Sequence, residues 1–316
     1  MCAIGLRIGA HSRGEQERPG VGGSGTAAVG SAARPLTERV EGSGRFVCVK
    51  IFSYLYAVTA PTRTRLAWFD LIEIGLVVLG FLLYFLVRGA VADRDAQALE
   101  NAHWIIDLQE SLRLFVEPRI NEWALGSTLR VRLFNFVYFW LDFPLIVGVG
   151  LLMFWRQRRF YTLLRDALLI SGGFALLMYW SFPVAPPRFL PDLGFVDTLE
   201  QFDNLSYQAQ SMAPFVNPYA AVPSLHIGWA LIVAIVIFWA TQHAVLRLGA
   251  ITVLLLQSVA VVATANHYIF DGVVGAVVSL TGLGLAVWLQ HHGYPALRRW
   301  LQARLHAAER IAGVSA

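Results

Sequence analysis

Six stretches of this chain, at 67–88, 131–155, 163–184, 224–240, 245–265 and 269–290, are each apolar over close to the length of a membrane crossing. About 20 apolar residues in a helix cross the hydrocarbon of a bilayer. There every backbone N–H and C=O must find its partner within the segment. Charged residues make up 15% of the chain and hydrophobic ones 56%, where a soluble domain carries about 25% charge. The runs therefore read as membrane helices rather than as a soluble core. The expected fold is all-α: a polytopic membrane protein with six transmembrane helices in a bundle. The fourth run is short, but Pro223 and Ser224 give it a defined start, since proline is tolerated in a first helical turn and serine can cap it.

Arginine placement sets the topology. Arg156, Arg158, Arg159 and Arg165 lie between runs two and three, and Arg298, Arg299 and Arg304 follow run six. Arg63 and Arg65 precede run one, and Arg247 separates runs four and five. Six crossings put all of these on one side, which is then cytoplasmic together with both termini; the plasma membrane is the expected location. Segments 91–130 and 185–223 face outward, although 91–130 carries arginines of its own. The net charge of +4 reports this topology and gives no reason to expect nucleic acid as a partner. In 95–125, apolar Leu99, Ala102, Ile106, Leu108, Leu112 and Phe115 alternate with Glu100, Asp107, Glu110 and Arg113 at helical spacing. That pattern predicts an amphipathic helix on the outer membrane surface or over the bundle, broken by Pro118.

Three regions follow: a tail at 1–66, a membrane unit at 67–290 and a basic cytoplasmic helix at 291–316. The tail is rich in Gly, Ser, Ala, Arg and Glu, a composition that predicts disorder, and it lacks the apolar core of a signal peptide. A start near Val47 or Val49 is an alternative account of it. Cys2 and Cys48 both lie in the tail and offer no metal-ligand spacing.

The chemistry-bearing residues cluster at the outer ends of the runs. His267 and Asp271, in ANHYIFDG, are four apart, which on a helix puts both on one face. The carboxylate would hold the Nδ1 proton and leave the Nε2 lone pair for attack; a polar pair joining two helices is the plainer alternative. In Val222-Pro223-Ser224-Leu225-His226 a helix N-terminus and a hydroxyl suit a phosphate, and His226 can protonate a leaving oxygen. The alternative there is an ordinary helix start. Pro183-Val184-Ala185-Pro186-Pro187-Arg188-Phe189 stiffens the exit of run three and holds Arg188, a group suited to phosphate or simply to lipid headgroups. All three elements map to the outer face. Asn266 and Tyr268 flank His267 and are expected to shape the pocket around it. Asp142, beside Pro144 in YFWLDFPLIV, sits mid-run with a kink; it is expected as structural glue, or as a partner to the histidines or a substrate hydroxyl. Asp70 and Glu73 are expected to meet water or arginines at the inner end.

Arg, then P-S-x-H, then H-x-x-x-D on six runs resembles the type 2 phosphatidic-acid phosphatase superfamily. HYIFD and PPRF are most similar to its branch containing the inositol phosphorylceramide synthases, which are inositolphosphotransferases. The resemblance covers roughly 67–290. It implies a helical bundle, no metal or other cofactor, and a lipid-phosphate substrate with water or a hydroxyl as acceptor. It makes His267 the nucleophile, Asp271 its orienting partner and His226 the general acid, with Arg188 and the Ser224–Leu225 region holding phosphate. Departures accompany it: no lysine precedes Arg188, Ala260-Val261 stands where phosphatase members carry Ser-Arg, and Leu225 replaces a common glycine. Fewer cations favour a phosphodiester headgroup over a dianionic monoester. Two rival readings are a transporter with a histidine proton relay and a family member without activity. Oligomeric state is not legible.

Overall fold

A computed structural model describes residues 73–75, 78–80, 82, 94–203 and 219–311. The tail at 1–66, Arg63, Arg65, Asp70 and most of the run at 67–88 lie outside the described residues. The helices, in order, are α1 (Asp95–Ser111), α2 (Glu117–Leu125), α3 (Thr128–Trp140), α4 (Phe143–Arg156), α5 (Arg158–Ser181), the short α6 (Thr198–Asp203), α7 (Leu225–Ala240), α8 (Ala244–Ala263) and α9 (Ile269–Trp288). A π-turn, Leu289–Gly293, joins α9 to α10 (Tyr294–Ile311). Among the described residues there is no strand, only one isolated parallel bridge between Val184 and Ala220.

Among the described residues, three helical stretches are long and apolar enough to cross a membrane: α5, α8 and the continuous Ile269–Arg304. The pair α3 and α4, bent by 44°, makes a fourth if it is one crossing. These mark a membrane-embedded, all-α protein. Helix α7 has 16 residues, about 24 Å at 1.5 Å per residue, short of the hydrocarbon thickness.

Run two, expected as one kinked helix, is instead interrupted at Leu141 and Asp142. Pro144 sits in the first turn of α4, where its missing N–H is tolerated; further into a helix it would remove a bond and clash. The amphipathic segment at 95–125 is likewise two helices. Its break falls at 112–116, with Arg113 at φ 57°, and Pro118 opens α2 rather than ending α1. The apolar side of α1 does not face outward: Ala98, Ala102, Ile105 and Ile106 pack with Val184, Ala185, Phe195 and Tyr268. Helix α1 therefore lies over the loops of the bundle.

Helix α9 is the centre, packed against both α5 and α7, and α8 lies against α7. A Cβ at Gly275 would collide with the Ser224 carbonyl oxygen. A Cβ at Gly228 would overlap the Ser279 hydroxyl and come within 2.6 Å of the Gly275 carbonyl oxygen. Small residues at such crossings let backbones approach where lipid provides no hydrophobic drive. Trp229 Nε1 donates to Ser171 Oγ at 3.1 Å, and the Tyr179 hydroxyl donates to the Pro223 carbonyl at 2.9 Å.

At the end of the bundle opposite His226 and His267, Glu73 meets Arg165 and lies 3.8 Å from Arg158. Arg165 also contacts Asp166 and Tyr294, and the Tyr294 hydroxyl donates to Asp166 at 2.8 Å. Glu73 thus meets arginines, as its place in the sequence suggests.

Gly275→Ala is expected to destabilise the protein by about 1–3 kcal/mol through overpacking. At Gly284 an added Cβ would have nothing within 4 Å, so alanine there should be neutral or bring a small gain in helix propensity. Thermal unfolding of both variants in detergent checks the contrast.

Candidate active site

The chain leaves α8 through a tight turn. Ala265 takes a left-handed conformation, φ 56°, and the N–H groups of Asn266 and His267 both donate to the Val261 carbonyl, at 3.1 and 3.0 Å. His267 therefore precedes α9 instead of riding on its face, and the expected helical i, i+4 register is not what joins it to Asp271. Asp271 is the third residue of α9, and its Oδ2 accepts the Tyr268 N–H at 2.8 Å. This is a helix N-terminal cap made from inside the helix. The same oxygen lies 3.2 Å from His267 Nδ1.

A second acceptor, the Ala221 carbonyl, lies 2.9 Å from that nitrogen. Two acceptors on Nδ1 assign the proton there and the lone pair to Nε2. Asp271 is wholly buried. Its main-chain carbonyl also takes the Ser224 N–H at 3.0 Å, which ties the start of α7 to α9.

His226, the second residue of α7, has its ring centroid 5.4 Å from that of His267. Tyr138 stacks on it at 4.3 Å. Its Nε2 lies 3.4 Å from Asp142 Oδ2, so the interruption between α3 and α4 delivers a carboxylate to the second histidine. Of the three roles open to Asp142, the contact observed is with a histidine.

Arg188 sits in the 3-10 turn Pro187–Phe189, its N–H bonded to the Ala265 carbonyl at 2.8 Å. Its guanidinium donates to Asn266 Oδ1, and its Nε lies 3.5 Å from Asp197 Oδ2. The other Asp197 oxygen accepts the N–H groups of Leu199 and Glu200 at 3.0 and 3.1 Å. The Asp197 carboxylate is thus directed at Arg188. Asn266 in turn donates to Thr264 Oγ1 at 2.9 Å.

Three expectations need correction. Ser224 does not cap α7 with its side chain. Its backbone is fixed by the Asp271 carbonyl and by the close approach of Gly275, and its buried Oγ has no hydrogen-bond partner among the described residues. Leu225 packs in the apolar core beside Trp229 and Ile232, so only its backbone N–H, at the helix start, can serve an anion. Tyr268 is wholly buried and its hydroxyl donates to the Ala185 carbonyl at 3.2 Å; it builds the loop instead of lining a pocket.

Gln109 and Glu117 join the site without any expectation from the sequence. Glu117 Oε1 accepts the Ile269 N–H at 2.9 Å, and Gln109 Oε1 accepts the Phe270 N–H at 2.9 Å. Their one sequence signal is an acidic residue opening a Pro-started helix. Among the described residues no three His, Cys, Asp or Glu side chains gather as a metal site.

The family model for the PAP2 superfamily matches residues 103–285, more than half of the chain and every site residue described above. No curated protein and no solved structure gives a match. Asp271→Asn keeps the side chain's shape but puts an amide where a charge faces Nδ1. Turnover is expected to fall on the order of 10²- to 10⁴-fold, read as product formed per enzyme beside the wild type.

Proposed function

The chain belongs to the PAP2 superfamily, and on that premise we propose that it is an integral-membrane lipid phosphatase or phosphotransferase working through a phosphohistidine. The observation that carries the reading is the pairing of an oriented histidine with a second one: His267, its Nδ1 on Asp271 and the Ala221 carbonyl, beside His226. In the first step His267 Nε2 attacks phosphorus. The N–P bond forms as the P–O bond to the leaving alcohol breaks, and His226 supplies that oxygen's proton. Asp142 stabilises the protonated His226 that this step requires. In the second step water or an acceptor hydroxyl attacks, its proton passes to His226 and the N–P bond breaks. Arg188, the Ser224 hydroxyl and the first N–H groups of α7 are the groups this reading assigns to the developing charge. Asn266 holds Arg188, and Tyr268 holds the loop that carries it.

The cation count favours a phosphodiester headgroup and the inositolphosphotransferase-like branch. Ala260 and Val261, where phosphatase members carry Ser-Arg, are wholly buried, and Arg188 already faces a carboxylate. The membrane unit at 67–290 comprises six crossings in this reading, with 67–88 and α7 included. The histidine end is extracytoplasmic and both termini are cytoplasmic, in the plasma membrane. The arginines at the far end of α5 and along α10 support that orientation. The tail at 1–66 and the basic helix at 291–316 flank the unit.

Purified protein in lipid, given phosphatidic acid in one arm and phosphatidylinositol with diacylglycerol or ceramide in the other, should release phosphate or transfer headgroup. His267→Ala should abolish either product, and His226→Ala should lower it on the order of 10²- to 10⁴-fold. Full turnover by His267→Ala sinks the mechanism. For orientation, Asp192→Cys at an exposed turn should react with an impermeant thiol reagent from outside intact cells. Reaction only after lysis reverses the topology.

A further inference from the structure

We propose that Gln109 and Glu117 are positioning residues for the His267–Asp271 pair, holding the first turn of α9 in place from two other helices; this rests on His267 being the nucleophile. A helix begins with N–H groups that have no partner inside it. At α9, Asp271 takes the Tyr268 N–H, Glu117 the Ile269 N–H and Gln109 the Phe270 N–H. Gln109 Nε2 also donates to Glu117 Oε1 at 2.6 Å. The two side chains come from the end of α1 and the start of α2. They are brought side by side by the 112–116 turn, where the Leu114 N–H returns to the Gln109 carbonyl at 2.7 Å. Glu117 and Gln109 are both buried, Glu117 completely. A carboxylate suits the positive end of a helix.

Asp271 lies on the same turn as Ile269 and Phe270. Its Oδ2 reaches both the Tyr268 N–H and His267 Nδ1, so a displacement of the turn moves the oxygen away from the imidazole. The Ala221 carbonyl would still hold the proton on Nδ1. What would be lost is the negative charge that stabilises the ring as the N–P bond forms. Arg188 is held by other bonds, to Ala265 and Asn266, and the approach to α7 is anchored away from this turn as well, by the Tyr179 hydroxyl at the Pro223 carbonyl and the Ala221 N–H at the Val184 carbonyl. Loosening the cap should therefore act on kcat and leave the KM for lipid unchanged.

The test uses the full chain in mixed micelles with the same two probe arms, comparing wild type, Glu117→Ala, Glu117→Gln, Gln109→Ala and His267→Ala. Glu117→Gln keeps a carbonyl for both donors. Expected are a fall in kcat on the order of 100-fold in Glu117→Ala and Gln109→Ala, unchanged KM, and near-wild-type kcat in Glu117→Gln. Carbethoxylation of His267 by diethyl pyrocarbonate, followed by mass spectrometry, should slow in the two alanine variants and not in Glu117→Gln. Wild-type kcat in Glu117→Ala, a rise in KM alone, equal damage in Glu117→Gln, or unchanged labelling of His267 overturns the proposal. If Glu117→Ala does not fold, Gln109→Ala and Glu117→Gln carry the same comparison. Full turnover by His267→Ala removes the nucleophile reading instead, and the labelling rates still judge the positioning.

Discussion

A helix that starts at the edge of a bilayer, buried from water, must have its first N–H groups met by protein. That requirement at the start of α9 organises this molecule. It is met by one carboxylate from within the helix and by two side chains from α1 and α2. Meeting it fixes where α1 and α2 lie, folds Asp271 back over Tyr268, and brings the same carboxylate to His267. The cap and the oriented imidazole are one arrangement. Asp271's main chain then takes the Ser224 N–H, so the helix bearing His226 is registered to the same turn.

The rest of the bundle handles charge by the same rule, that ionised groups away from water come with partners. At the end that holds His226 and His267 the partners are few and each faces one side chain of the site: Asp271 with His267, Asp142 with His226, Asp197 with Arg188. At the other end Glu73, Arg165, Asp166 and Tyr294 form a connected network between α5, α10 and residue 73. Between the ends the helices meet through small residues, and Gly275 and Gly228 let α7 and α9 approach until backbone touches side chain. Close packing there transmits the position of one helix start to the other.

Much of this is legible in the residue pattern, but partly for different reasons. The apolar runs mark α5, α8 and α9, and the family resemblance stands at the superfamily level. Spacing pairs His267 with Asp271 on the premise of a shared helix face. The structure pairs them through a cap, because an acidic third residue folds back on the helix start. Run two reads as continuous because apolar residues flank Asp142 and Pro144 on both sides; periodicity alone does not show where a proline-started helix begins. Glu117 has no legible role in the sequence, since its partner lies 152 residues away and no local pattern encodes such a contact. The same holds for Ala221, whose contribution is a main-chain carbonyl with no side-chain signature.

In the proposed reading, where Arg188 holds the substrate phosphate, its contact with Asp197 bears on ligand choice. An anion arriving at Arg188 meets a carboxylate tethered 3.5 Å from Nε, present at the high effective concentration of an intramolecular group. Binding there is an exchange rather than an addition. A small free anion gains little from displacing its built-in competitor, whereas a phosphate anchored by a lipid tail is itself confined near the site. In that reading the ion pair sets a threshold that favours tethered phosphates over dissolved ones.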